Sequence, residues 1–88
     1  MNTTEFENTL REEGFTEIVA RGLPGGHGTT DHSHAFSVRA LVTAGEITLT
    51  TAGSATVYRP GDVFVMPAGQ THYETVGADG VAYVVGKR

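Results

Sequence analysis

Turn-forming residues recur at short, regular intervals through most of this 88-residue chain. Between them, apolar and polar residues alternate with the period of two that is typical of β-strands with one buried face. The pattern predicts strands near 31 to 43, 46 to 51, 54 to 58, 62 to 66, 71 to 76 and 81 to 86, separated by Gly45, Gly53, Pro60-Gly61, Ala68-Gly69 and Gly77 to Gly80. Sequential strands joined by tight turns pair antiparallel, and such a sheet protects its edges by folding into a sandwich or closing into a barrel. An all-β architecture is therefore predicted over about residues 15 to 86.

The N-terminal segment has a helical pattern instead. Thr4 and Glu7 have the spacing of a capping box, and Gly14 is placed to end a helix in a left-handed conformation. We therefore expect one short helix over about residues 5 to 13, followed by an alternating strand that begins at Phe15.

The length and composition exclude several classes of protein. Eighty-eight residues suffice for one domain, so we expect a single domain over 1–88. The absence of cysteine excludes a disulfide framework, a thiolate metal site and a cysteine nucleophile, so any metal must be held by nitrogen and oxygen. A net charge of −4 offers no basic surface for nucleic acid. Since the sequence has neither a signal-like N-terminus nor a long apolar run, we expect a cytoplasmic protein without a membrane partner.

Two histidines lie close together near the start of the first long predicted strand. Because His32 and His34 are two residues apart, both side chains leave the same face of a strand and can converge on one metal ion. Such a pair also occurs on the solvated face of a strand, so it does not establish a metal site by itself. The surrounding glycines add information, since Gly26 precedes His32 by six positions and Gly45 follows His34 by eleven.

A second segment carries a related pattern. From Gly61 to His72 the sequence reads Gly-Asp-Val-Phe-Val-Met-Pro-Ala-Gly-Gln-Thr-His, with proline six positions after the first glycine and histidine three after the second. With these two blocks the chain resembles the cupin superfamily, whose motifs are Gly-x5-His-x-His-x(3–4)-Glu-x6-Gly and Gly-x5-Pro-x-Gly-x2-His-x3-Asn. The resemblance covers about residues 26 to 76.

The resemblance implies a cupin double-stranded β-helix, a jelly-roll-like antiparallel barrel, with His32, His34 and His72 pointing into its interior. It also implies that these histidines bind one divalent transition metal ion, such as iron(II), zinc, nickel, manganese or copper. The glycines and Pro67 are turn-formers that set strand register, and register decides whether the histidines face one another. A small-molecule ligand or substrate is the partner that such a site implies.

The chain departs from the cupin motifs at two positions. The glutamate that is usually the fourth ligand falls at Val38, and the asparagine of the second motif falls at Val76. Cupin dioxygenases for cysteine, gentisate and β-diketones work with three histidines, so a valine is compatible with a metal site that has more open coordination positions. Glu74, two residues after His72, is expected to point inward, where it either replaces the missing ligand or acts as a catalytic general base. The alternative is a solvated glutamate at the barrel rim.

Residues near the histidines are expected to have other roles. His27 is predicted to be a surface loop residue, and Asp31 either hydrogen-bonds a ligand imidazole or stabilises a turn. Arg39 and Tyr73 are expected to point outward. The inward parity is shared by Phe36, Val38, Ala40 and Val42, with either Val63 and Val65 or Phe64 and Met66 as the facing apolar layer.

The resemblance leaves more than one function open. The first is a mononuclear non-haem metal-dependent oxygenase that acts on a small organic substrate through the three-histidine site. The alternative is a non-catalytic small-molecule or metal-binding module, such as a sensor, and a purely structural interpretation treats the histidines as relics. We also expect a homodimer, with the helix and the strand that begins at Phe15 as the contact.

Overall fold

The computed structural model describes residues 1–88. It contains one helix and five strands, namely α1 (Thr3–Glu12), β1 (Glu17–Leu23), β2 (Val38–Thr51), β3 (Ser54–Tyr58), β4 (Val63–Met66) and β5 (Tyr73–Lys87). Every pairing between these strands is antiparallel. The structure therefore confirms the all-β prediction with one short N-terminal helix.

The long strands β2 and β5 lie side by side at the centre of the sheet, and both bend in the middle. The strand order is β1-β5-β2-β3, and β4 also pairs with β2. On one side of the bend, β1, residues 81–87 of β5, residues 38–42 of β2 and β4 form what we call the first layer. On the other side, residues 73–76 of β5, residues 47–51 of β2 and β3 form the second layer. Apolar residues from both layers pack together, which gives the barrel its interior.

Two of the predicted turns are bends within continuous strands. The strands predicted at 31 to 43 and 46 to 51 join in β2, and those predicted at 71 to 76 and 81 to 86 join in β5. Gly45 has a φ of 71°, and a Cβ atom there would collide with the carbonyl oxygen of Gly80. Because the two backbones approach so closely, glycine at this position marks a β-bulge and not the end of a strand.

The predicted strand start at residue 31 is wrong, because β2 begins at Val38. The preceding loop pairs with the chain at the start of β5 through isolated bridges and not as a continuous ladder, between Gly28 and Thr75 and between His32 and His72. A side-chain hydroxyl takes the place of a ladder carbonyl here, since Thr29 Oγ1 accepts a hydrogen bond of 3.0 Å from the Glu74 N–H. Threonine and serine compete in this way with regular pairing, which keeps the loop from continuing the strand.

The helix begins slightly earlier than predicted. Asn2, and not Thr4, is the N-cap, and its side-chain oxygen accepts a hydrogen bond of 2.8 Å from the Glu5 N–H. Gly14 has a φ of 87°, the left-handed conformation that was expected after the helix. No helix in the structure has the length and apolar character needed to cross a membrane.

Two apolar clusters lie on opposite faces of the first layer. The outer cluster joins α1 to the sheet and consists of Phe6, Leu10, Phe15, Leu41 and Val84. The inner cluster contains ten buried residues from both layers, namely Val38, Ala40, Val42, Ile47, Leu49, Phe64, Met66, Val76, Val81 and Val85. The inward parity predicted for β2 is therefore confirmed, and Phe64 and Met66 form the facing layer of β4, whereas Val65 is 55% exposed.

Candidate metal centre

His32 and His72 lie directly opposite each other on neighbouring backbone segments. The His32 N–H donates to the His72 carbonyl oxygen at 2.8 Å, and the His72 N–H donates to the His32 carbonyl oxygen at 2.9 Å. This reciprocal pair is a single rung of antiparallel ladder. It fixes the two side chains on one face, with their ring centroids 4.5 Å apart.

His34 is held in place by the turn that precedes His72. The N–H of Gly69 donates to the His34 carbonyl oxygen at 2.8 Å, and the turn is closed by a 3.2 Å hydrogen bond from the Gln70 N–H to the Pro67 carbonyl oxygen. Gly69 has a φ of 80°, which a residue with a side chain rarely adopts. The Pro-x-Gly segment therefore connects the second motif physically to the first.

The three imidazoles converge on one point at the end of the barrel interior. The ring centroid of His34 lies 5.0 Å from that of His32 and 5.3 Å from that of His72. One nitrogen from each of the three rings lies within 4.8 Å of the others. His72 is 1% exposed, and the other two histidines are half-buried. Nitrogen atoms so arranged can coordinate a single ion with little movement.

Backbone carbonyls fix which nitrogen of two of the rings is free. Nδ1 of His32 lies 2.8 Å from the Thr30 carbonyl oxygen, and Nδ1 of His72 lies 3.1 Å from the Gln70 carbonyl oxygen. Because a carbonyl oxygen only accepts, each Nδ1 carries the proton, and Nε2 of the neutral ring keeps its lone pair. Metal-bound histidines typically donate their other ring N–H in this manner. Thr30 thus takes the orienting role considered for Asp31, which is exposed.

The Nε2 atom of His72 is buried and has no hydrogen-bond partner. A buried polar atom without a partner costs free energy, so such atoms are rare unless a water or an ion completes them. Here the unpaired atom belongs to a ring whose neighbours are the other two histidines. The residues present therefore fit a divalent metal ion that prefers nitrogen ligands.

The electrostatic environment favours the neutral form of His34. Burial is the main cause that lowers the pKa of this imidazole from its ordinary value, and the nearby His32 and His72 lower the pKa further, whereas Glu74 raises it. The ring also stacks on Phe36, with centroids 4.8 Å apart and planes inclined by 16°. A neutral, immobilised imidazole is the form that binds a metal.

A cavity of about 300 Å³ extends from the histidines along the inner face of the first layer. Glu74 lines this cavity and is half-buried, as its parity predicts, but its carboxylate does not belong to the cluster of histidine nitrogens. Its role as ligand or general base stays a prediction. The apolar lining consists of Leu23, Phe36, Val38, Phe64, Met66, Tyr83 and Val85.

The structure also places residues that the sequence analysis assigned differently or did not consider. His27, predicted to be a surface residue, lines the cavity without joining the histidine cluster. Arg39 points outward, as expected, and forms an ion pair of 2.7 Å with Glu13. Arg21 and Lys87 also line the cavity and were not predicted, because apolar residues occur at both parities of β1 and β5 and the period of two does not tell which face is inward.

The sequence model of the cupin domain family matches residues 20–85, three quarters of the chain. The chain belongs to the cupin family. In this cupin, the three histidines that match the two motifs lie together, in an arrangement compatible with a metal ion. No curated protein matches the sequence at a significant level.

Several solved structures have the same fold. A protein of unknown function from Rhizobium leguminosarum bv. viciae superimposes with a TM-score of 0.74 at 20% identity, covering 80% of this chain and 66% of that one. The cupin domain of Cnp3 from Schizosaccharomyces pombe gives a TM-score of 0.70 at 15% identity, covering 80% of this chain and 53% of that one. KdgF from Halomonas sp. gives 0.65 at 23% identity, covering 81% and 67%. This cupin thus spans about half to two thirds of these chains.

Proposed function

We propose that this cupin binds one divalent transition metal ion through Nε2 of His32 and His72 and one ring nitrogen of His34, and that a small molecule occupies the adjoining cavity. The observation that carries the proposal is the unpaired Nε2 of His72, buried among two further histidines. A bound ion would satisfy this lone pair and would replace the missing hydrogen bond with a coordinate bond. Three imidazoles suit zinc, iron(II), nickel and copper. Manganese, which prefers oxygen ligands, is the remaining candidate ion.

The metal proposal is tested by metal content together with thermal unfolding. We expect close to one metal ion per chain after dialysis against excess zinc. A ligand that binds only the folded state adds about 2.7 kcal/mol to the free energy of unfolding when its free concentration is about a hundred times its dissociation constant. The Tm of the protein should therefore rise clearly when zinc is added. His34→Ala should abolish the rise, whereas His27→Gln should retain it, because His27 lines the same cavity outside the donor cluster.

A structural role for the histidines makes the opposite prediction. If the three histidines only fill space, the purified protein carries no metal, and zinc shifts the Tm of the wild type and of His34→Ala equally. That result would overturn the metal proposal. Comparing zinc with iron(II), nickel, copper and manganese in the same assay then identifies the ion that stabilises the fold most.

Mononuclear oxygenase activity on a small organic substrate is the second step of the proposal. It is supported by the small number of protein ligands, since three histidines leave open positions on the side of the cavity. Bound iron(II) would supply the redox chemistry that dioxygen needs. The chain itself would contribute the apolar side chains that limit water near the site and Glu74, whose carboxylate lines the same cavity and can take a proton from the substrate.

Oxygen consumption distinguishes this activity from a binding or sensor role. Protein loaded with iron(II) should consume oxygen with at least one member of a panel of small acids, thiols and diketones. Glu74→Gln should lower kcat and shift the pH profile of the reaction while it leaves the metal content unchanged. Metal and ligand binding without oxygen consumption would instead identify a non-catalytic module.

A homodimer also remains part of the proposal, and of the two elements predicted for its contact, the strand that begins at Phe15 is the one with an exposed large apolar side chain, Val19. The apolar residues of α1 are already buried within the chain, since Phe6 is 1% and Leu10 0% exposed. Exposed apolar side chains lie instead on the strands, with Val19 40% and Val65 55% exposed. Light scattering on Val19→Lys against the wild type tests β1 as the contact, because a charge there should lower the molar mass if this strand forms it; Val65→Lys tests the opposite face of the first layer in the same way.

A further inference from the structure

The cavity beside the histidines contains more positive than negative side chains. Its lining includes the cations Arg21 and Lys87 and the single carboxylate of Glu74. The whole chain, in contrast, has a net charge of −4. The one ion pair in the chain joins Arg39 to Glu13 on the outside, so neither cation of the cavity forms an ion pair within the chain.

Lys87 is the cation that lies nearest the histidine end of the cavity. Its ammonium nitrogen lies 5.0 Å from the ring centroid of Phe36, and this ring stacks directly on His34. The aromatic face holds the ammonium by a cation–π contact but offers no hydrogen-bond acceptor. All three ammonium donors therefore remain available to a ligand.

Lys87 has a cross-strand neighbour on each side, Glu17 of β1 and Val38 of β2. In the antiparallel register of β2 and β5, Lys87 lies directly opposite Val38. Val38 occupies the motif position at which other cupins carry a glutamate, and a carboxylate there would lie beside the ammonium. Valine at this position removes one carboxylate from beside Lys87, and the remaining neighbour, Glu17 across β1, is exposed and forms no ion pair with it. The ammonium is therefore free to bind a negative charge from outside the chain.

We propose that the cavity recognises a small organic carboxylate, with Lys87 binding the carboxylate group and Arg21 adding positive potential from the opposite end of the lining. The apolar lining, with Phe36 and Phe64 among its side chains, accommodates a hydrocarbon or aryl body. A volume of about 300 Å³ limits the ligand to a small molecule. The inference rests on the proposed function in one respect, namely that the part of the ligand that Lys87 does not bind faces the metal.

The test compares a charged probe with its neutral counterpart of the same shape. Benzoate and benzamide are titrated into the zinc-loaded and the metal-free protein, and dissociation constants are obtained by calorimetry and NMR. Because a hydrogen bond to a charged group is worth more than a neutral one, we expect benzoate to bind about tenfold more tightly than benzamide in both forms. Lys87→Met, which keeps the length and the contact with Phe36, should lose this preference, and Lys87→Arg should restore most of it.

Two further variants make the outcome specific. Arg59→Gln removes a positive charge from the exposed turn before β4 and should leave both affinities unchanged. Val38→Glu places a carboxylate beside Lys87, so it should weaken benzoate binding about tenfold while zinc is retained.

Each result supports or overturns a separate claim. Equal affinity for benzoate and benzamide, no benzoate binding at millimolar concentration, or equal effects of Lys87→Met and Arg59→Gln would each overturn the carboxylate inference. Absence of zinc binding together with a preserved preference for benzoate would overturn the metal proposal and leave the inference standing.

Discussion

The two faces of the first layer are closed in different ways. On the outer face, α1 seals a small cluster in which Leu10 is 0% and Phe15 6% exposed. On the inner face, a larger apolar cluster ends at a cavity lined by histidines and charged side chains. Along β5 the two faces alternate residue by residue, so Val84 belongs to the outer cluster and Val85 to the inner one. The outer face of this strand thus contributes to stability alone, whereas its inner face contributes both to the larger apolar core and to the cavity.

This difference predicts opposite responses to substitution. Changes in the outer cluster should lower the free energy of unfolding and leave metal affinity unchanged. Changes at the histidines should remove metal affinity with a smaller effect on the metal-free fold.

The largest effect is expected for Leu10→Ala. Leu10 is fully buried between α1 and the sheet, and truncating such a leucine typically costs about 2 to 5 kcal/mol through lost burial and the cavity left behind. Urea denaturation with and without a chelator measures the loss. Asn8→Ala, an exposed position on the same helix, should change the free energy of unfolding by less than about 0.5 kcal/mol.

The zinc affinity of the Leu10→Ala variant is the decisive control for the comparison. It should equal that of the wild type at a temperature where both proteins are folded. A large loss of zinc affinity would mean that the outer cluster positions the histidines, and the separation of the two faces would then be wrong.

The next effect concerns Gly86, which lies on the outer face beneath α1. A Cβ atom at this position would lie 2.9 Å from Leu10 Cδ1 and 3.1 Å from Phe15 Cδ1. Gly86→Ala should therefore cost about 1 to 3 kcal/mol by overpacking. The double variant with Leu10→Ala should be less destabilised than the sum of the single variants, because the new methyl group occupies part of the space that Leu10 leaves. Strict additivity in urea denaturation would contradict this packing.

A smaller effect is expected for the ion pair at the end of α1. Arg39 and Glu13 are in contact at 2.7 Å, but their side chains are 35% and 39% exposed. Solvent screens such a pair, so Glu13→Gln should cost no more than about 1 kcal/mol. The difference from the wild type should shrink further in concentrated salt. A loss that is larger and insensitive to salt would show that Glu13 supports the fold by other means.

The general architecture and the histidine cluster were predictable from the sequence because both depend on local spacing. The period of two identifies strands. The Pro67-x-Gly69 segment identifies a turn, and the spacing from that turn to His72 sets the register of the histidine that immediately precedes β5. The bends at Gly45 and at residues 77–80 were not predictable, since a glycine marks a turn and a bulge equally well. Which of the two forms depends on the distant strand that approaches it.

The cationic side of the cavity could not be predicted for a related reason. In β1 apolar residues occur at both parities, with Ile18 and Ala20 on one face and Val19 and Leu23 on the other. Local pattern therefore does not tell which face of β1 is inward, and Arg21 receives no assignment. Its place in the cavity follows only from its register opposite Tyr83 of β5, a contact between distant parts of the chain.

The smallest effect is expected from a single proton on the inner face. Burial lowers the pKa of His34 from its ordinary value of 6.5, so near and below that value the unfolded chain binds more protons than the folded one. The stabilising contribution is therefore complete at higher pH and is lost as the pH falls through the lowered pKa. Thermal unfolding of the metal-free protein across this range should show that Tm falls less steeply with decreasing pH for His34→Gln than for the wild type.

The matched control is Leu10→Ala, which should lower Tm equally at every pH, because its defect lies on the face that carries no titrating group of the site. A changed dependence of Tm on pH in Leu10→Ala would mean that the two faces are coupled.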